Sequence, residues 1–277
     1  MAPAAGTPTN TVTIIDNGAP IQTVSLPGGS NTVTVFVTFP NSGVQNITAA
    51  YNGDNKFSGS TSPNTLVVNV VTQNQAFVNQ VYLDLLNRPA DAGGLAGWTN
   101  LIGMGVSRTQ VVLDIEGSRE YLQDVVNSLY VKYLHRNADP IGLTGFTNAL
   151  ASGMRIEQVS AALIGSPEYF ATRGGGTNPG FLNALYEDVL NRPIDPTGMA
   201  TDLLLLQQFT PRSAIAQLTL NSSEYKVDLV NSYYEEFLNR QADPGSQGFV
   251  NALLNGTPDQ VVVAAIMGSQ EFFNDLL

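Results

Sequence analysis

The residues of this chain that invite a chemical reading are four arginines, each followed three positions later by an aspartate: Arg88 and Asp91, Arg136 and Asp139, Arg192 and Asp195, Arg240 and Asp243. Further along each copy stands a glutamate: Glu120, Glu168, Glu224 and Glu271. Paired carboxylates could serve glycoside hydrolysis, which needs one acid and one base in unlike surroundings within a single cleft. A residue repeated four times in equivalent positions argues against that asymmetry. Calcium is the second chemistry: Asp91, Asp139, Asp195 and Asp243 lie in glycine-containing loops with carbonyls nearby. Each loop has one obligate acid, however, where an EF-hand loop supplies several oxygen-rich side chains. The bland reading is structural. Asp139, Asp195 and Asp243 are each followed by proline, the pattern of a helix N-cap with proline at the first helical position. The arginine then closes the loop, and the glutamate supplies a buried ion-pair partner that fixes the fold.

Other candidates are few. His135 is the only histidine and stands where the other copies have Asn87, Asn191 and Asn239, so it reads as a loop or helix-end residue and not as a base. Cysteine is absent, which removes thiolate chemistry, disulfides and cysteine metal sites. Gly174-Gly175-Gly176 lacks the lysine and the strand-to-helix setting of a phosphate loop. Trp98 falls where two other copies have Phe146 and Phe249, with Asp202 in the remaining one. It reads as a core residue, with a sugar-stacking platform as the rival.

The elements that position these residues follow from periodicity. From Thr11 to Val71 the pattern alternates, with Val33, Val35, Val37 and Phe39 on one face and Thr32, Thr34 and Thr38 on the other. That spacing predicts half-buried antiparallel strands, here at Thr11–Ile15, Ile21–Leu26, Thr32–Phe39, Val44–Tyr51 and Thr65–Val71. Turn signals such as Asp16-Asn17-Gly18 and Asn52-Gly53-Asp54 separate them. Asp54 reads as a turn stabiliser. After Gln73 the period becomes 3.6, with Phe77, Val78, Val81, Tyr82, Leu85 and Leu86 on one stripe. The arginines recur after 48, 56 and 48 residues, so the copies form two pairs. The extra residues around Gly174–Gly176 read as a hinge between two lobes. Three helices per copy are expected, with caps at Ser107, Thr210-Pro211, Thr257-Pro258 and Ser166.

Composition narrows the partners. Net charge is −11, only 13% of residues are charged, and the only lysines are Lys56, Lys132 and Lys226. A chain so poor in cations has no electrostatic footprint for nucleic acid or anionic membrane surfaces. No apolar run is long enough to span a bilayer. The first twenty residues have no signal-peptide pattern, so the chain reads as a mature form or a fragment of an exported bacterial protein.

Two resemblances add to this. The stretch Ile47-Thr48-Ala49-Ala50-Tyr51-Asn52-Gly53-Asp54, with Phe57, Gly59, Ser60 and Ser62, resembles the signature of bacterial Ig-like repeats over residues 7–71. The resemblance implies an extracellular spacer with no activity of its own. In that family about two further strands precede Thr11, so the sandwich is expected to be incomplete: either cut within the domain, or completed by another chain along an open β edge. The helical block, with Tyr82, Leu86, Arg88, Asp91, Gly94, Leu95 and Trp98 opening a copy and Ser118, Glu120 and Tyr121 closing it, resembles the domain of unknown function 4214 repeat. That resemblance covers residues 76–275 and brings no catalytic or ligand residues with it; it implies a secreted or surface-layer-type protein.

The expectation is therefore an α+β multidomain protein: an incomplete Ig-like antiparallel β-sandwich over 1–72, then an all-α region of about twelve helices in two lobes, 73–173 and 174–277. The expected function is a non-enzymatic, extracellular structural or adhesive module that self-associates or binds another surface protein. The alternative is a carbohydrate-binding module on the helical scaffold. No cofactor is expected beyond weak calcium candidacy.

Overall fold

The computed structural model describes residues 6–39 and 42–276. It divides into two compact units, residues 1–73 and 74–277, so the boundary coincides with the change of period and falls one residue after the expected end of the first domain at 72.

The first unit is a single antiparallel sheet of five strands: β1 (Thr11–Asp16), β2 (Ala19–Ser25), β3 (Gly43–Tyr51), β4 (Ser60–Thr61) and β5 (Leu66–Val70). The order is β2-β1-β3-β4, and β5 pairs with the other end of β3. Asn17 and Gly18 both take positive φ (47° and 85°), the requirement of a two-residue hairpin between right-twisted strands. Asp54 behaves as its position implies. One carboxylate oxygen accepts from the Lys56 and Phe57 amides, and the other from Thr9 and from the Tyr51 hydroxyl. Gly53 is required by close approach as well as by its φ of +75°, because a Cβ there would lie 2.8 Å from the Gly59 nitrogen.

One expected strand is not in the sheet. Residues 32–39 have no regular secondary structure but keep the alternation, with Val33, Val35, Val37 and Phe39 half-buried and the threonines exposed. They form no ladder with any described strand, and Phe36 is 89% exposed. The pattern specifies a strand, yet no described strand pairs with it, although the outer edge of β2 is free. Among the described residues before Asn74, no hydrophobic side chain is fully buried.

The second unit has fourteen α-helices among the described residues, against about twelve expected. Copy one holds α1 (Gln73–Leu86), α2 (Ala92–Gly103) and α3 (Arg108–Glu116). Copy two holds α4 (Arg119–Leu134), α5 (Pro140–Ala151) and α6 (Ile156–Ile164). Copy three holds α7 (Pro167–Thr172), α8 (Asn178–Leu190), α9 (Pro196–Gln207) and α10 (Arg212–Leu220). Copy four holds α11 (Ser223–Leu238), a 3-10 turn (Pro244–Ser246), α12 (Gln247–Leu254), α13 (Asp259–Met267) and α14 (Gln270–Asn274). All six residues of the α1 stripe are buried. The serines that begin the repeat's closing motif are N-caps: Ser118, Ser166, Ser222 and Ser269 each accept the amide three residues on. Ser107 caps α3 in the same way. Thr210 and Thr257 do not cap, because α10 and α13 begin one residue later than expected, with Pro211 and Pro258 at the cap position and no side-chain bond.

The two-lobe expectation is overturned by where the cores form. One core combines α1 and α3 of copy one with α12, α13, α14 and the second half of α11 from copy four. The other combines α4 and α6 of copy two with α7, α8 and α10 of copy three. Each core therefore draws on both sides of residue 174, and residues 74–277 are one unit. Nor is the Gly174 segment a hinge. A Cβ on Gly174 would lie 2.8 Å from the Phe170 carbonyl and 2.9 Å from the Phe181 Cα. Asp188 holds the turn shut through Arg173 and the Tyr169 hydroxyl. The glycines permit a tight packed turn, with Gly175 and Gly176 at φ 58° and 70°.

The helices that end in the repeat arginines share a left-handed cap: Asn87, His135, Asn191 and Asn239 have φ between 50° and 54°. Asparagine tolerates that region better than most residues, which explains its recurrence. His135→Asn is expected to raise stability by about 0.5 kcal/mol, measurable by urea denaturation.

Candidate functional site

In every copy the chain leaves the left-handed cap and presents the arginine to a glutamate at the start of a later helix. Arg88 donates Nε and Nη2 to Glu120 at 2.6 and 2.7 Å. Arg136 grips Glu168 at 2.5 and 2.7 Å, and Arg192 grips Glu224 at 2.5 and 2.8 Å. Arg240 holds Glu271 in the same bidentate manner. The Nη1 group of each arginine donates to the next backbone carbonyl. Each guanidinium also lies 4.8–5.4 Å from the ring centre of Tyr82, Tyr130, Tyr186 or Tyr234.

The aspartates are N-caps. Oδ1 of Asp91 accepts the Gly93 and Gly94 amides, and Asp139 and Asp195 do the same in their copies. Asp243 accepts only the Gly245 amide, at the start of the 3-10 turn. The other oxygen of each faces its arginine at 3.1–3.9 Å. A cation at these aspartates would sit against a guanidinium. Among the described residues, no three acidic or histidine side chains gather as metal ligands.

These pairs differ from expectation in one respect. Arginine and glutamate side chains are each roughly two-fifths exposed, so the pair is a solvent-screened surface clamp and not a buried one. The arginine holds each glutamate below the usual carboxylate range. Amides, chiefly those of Gly94, Gly142 and Gly198, do the same for three of the aspartates. None of these seven acids is poised to donate a proton at neutral pH.

Trp98 packs against the first core and donates its indole N–H to the Tyr82 hydroxyl at 2.9 Å. In copy three Asp202 accepts from the Tyr186 hydroxyl at 3.2 Å, so the odd residue at this position keeps the tyrosine bonded. The tyrosine also explains the glycine that follows the cap in copies one and two: a Cβ on Gly94 would lie 2.6 Å from the Tyr82 hydroxyl, and Gly142 is tighter still against Tyr130.

Sequence reasoning missed a second cluster. The Lys226 side chain is 2% exposed and pairs with Glu157, which is 3% exposed, while Asp259 lies 3.8 Å away. Asp259 also hydrogen-bonds Glu157. Burial raises Asp259, and the Lys226 ammonium holds Glu157 low against its own burial. The signal was present: Lys226 follows Tyr225 where the other copies have Leu122, Phe170 and Phe273. A lysine on an otherwise apolar stripe is costly unless paired.

Glu116 is buried beside this cluster. Its nearest partner is the Tyr121 hydroxyl at 3.5 Å, Oε2 has none, and burial pushes its pKa up to about 9. An unfolded glutamate ionises near 4.3. Between those values the unfolded state has lost a proton that the folded state keeps, so stability falls as pH rises. Glu116→Gln should match the parent at pH 4 and exceed it by about 5 kcal/mol at pH 8, read from urea melts at the two pH values.

Fold and motif together define a modular protein, an Ig-like β unit followed by helical repeats. More particularly, the family model of the bacterial Ig-like domain (group 3) matches residues 1–71. That of the domain of unknown function (DUF4214) matches residues 56–125 and 122–172. Those matches cover two repeats, and the arginine–glutamate clamp recurs at Arg192 and Arg240. No curated protein and no solved structure matches the chain.

Proposed function

We propose that this chain is a non-enzymatic structural or adhesive module acting at the bacterial surface, outside the cell, and that its Ig-like unit is completed by a strand from a second copy. The observation that carries this reading is the segment 32–39, which has the alternation of a strand but no ladder partner. It belongs to a sheet unit that leaves Phe36, Val44, Leu66 and Val67 more than half exposed. Unpaired strand edges pair readily with other chains. The repeat clamps support a scaffold role for the helical unit, since their charged groups are engaged with one another.

The test is light scattering and negative-stain microscopy on the intact chain and on Val33→Lys/Val35→Lys, with and without calcium. The parent is expected to associate as its concentration rises. The variant stays monomeric with unchanged helical circular dichroism, and calcium alters neither. A parent that stays monomeric throughout removes the assembly reading.

A further inference from the structure

We propose that a cleft between α1, α11 and α13 is a binding site for an organic cation, a guanidinium or primary ammonium head on a short apolar stem. The cleft holds about 150 Å³ and is lined by the acidic Asp84, Glu236 and Asp259, the aromatic Tyr121 and Tyr233, and the apolar Phe237. No lysine or arginine lines it. It adjoins a recess of about 200 Å³ that shares Asp84 and Glu236 and adds Asp275.

Two features separate this cleft from a chance gathering of acids. Asp259, at the floor, is 4% exposed, and its Oδ1 accepts no hydrogen bond. The nearest cation, Lys226, is committed to Glu157 and stays 3.8 Å from that oxygen. At the mouth, Glu236 is raised by burial and by the neighbouring charge of Asp84. Asp84 is itself raised by burial, and one of its oxygens is bonded only by the neutral Gln80 amide. Burial raises all three carboxyl groups, and Lys226, 3.8 Å from Asp259, is the one cation paired with any of them among the described residues. Tyrosine faces attract cations, and a planar guanidinium matches carboxylates in a bidentate way that a hydrated metal ion does not. Since one water occupies about 30 Å³, the space accommodates a head group and a few methylenes and no larger ligand.

The site is tested by isothermal titration calorimetry of the full chain at mildly alkaline pH and low salt. The probes are agmatine, blocked arginine (N-acetyl-arginine methylamide) and the neutral butylurea. Agmatine is expected to saturate with Kd below about 1 mM. Asp259→Asn should weaken it about tenfold or more, with Asp84→Asn and Glu236→Gln on the more exposed rim each weakening it about fivefold. Asp84→Asn and Glu236→Gln leave the buried cluster in place, so they serve as the folded test. Blocked arginine binding as well as agmatine points to an arginine side chain as the natural occupant. Agmatine binding alone points to a free amine. The proposal is overturned if neither cation saturates by about 10 mM, if butylurea binds as well as agmatine, or if folded rim variants bind agmatine like the parent.

Discussion

Lys226→Met lowers the stability of the helical unit by about 3–5 kcal/mol, the largest loss expected from any single charge in the chain. Methionine fills nearly the same volume, so the loss is not one of packing. It arises because Glu157 and Asp259, each more than nine-tenths buried, would face one another with no cation between them. One of them must then be kept protonated or drawn toward water, and either course opens the contact between α6 and α11. The companion prediction isolates this cause. Adding Glu157→Gln to Lys226→Met removes the charge left stranded and restores most of the lost stability, since a buried pair replaced as a unit is often neutral. Urea melts of the two single variants and the double variant give the coupling directly. If Lys226→Met costs less than about 1 kcal/mol, the ammonium is hydrated in solution and the cluster does not hold these helices together.

The contrast between this cluster and the repeat clamps shows what could be read in advance. Local pattern specified the strands at β1, β2, β3 and β5, the aspartate caps, the helix-end position of His135 and the pairing of each arginine with a glutamate, though burial was expected for pairs that are exposed. All of these are set by residues near in sequence or by fourfold repetition. What escaped was contact between distant copies. Nothing near Lys226 in sequence names Glu157 as its partner, and Glu116 looks like any other helical glutamate until neighbouring helices remove its water. The hinge expected at Gly174–Gly176 failed for the same reason. Glycine signals conformational freedom, but only the far side of the turn, where Phe181 and Asp188 sit, determines whether that freedom is used for motion or for close packing. The segment 32–39 is the reverse case: its local pattern is clear, and no described strand pairs with it.

The joining of copy four to copy one leads to the other large effect. Phe272 on α14 meets Phe77 on α1 edge-on, with ring centres 6.0 Å apart, and Phe273 meets the same ring at 6.0 Å. The covalent passage from copy two to copy three has the same construction, with Tyr169 and Phe170 around Phe181 at 6.1 and 6.5 Å. Arg108 lies over Phe273 as Arg212 lies over Phe170. Gly268 and Gly165 each let a helix end press against the first turn of another copy, at Thr109 and Ser213. The four copies thus close on themselves, with the chain's own turn making one junction and side chains alone making its equivalent. Phe272→Ala and Phe181→Ala should therefore each cost about 3–5 kcal/mol, and each should shift one common unfolding transition. Trp98, the only tryptophan, reports on the core that contains Phe272. With Phe181→Ala, a change in the other core, its fluorescence transition should still move to lower urea together with the helical circular dichroism. Tyr121, packed against both cores, and the long helices α4 and α11 carry that coupling. Two transitions, with tryptophan fluorescence unmoved by Phe181→Ala, would mean that the cores fold independently.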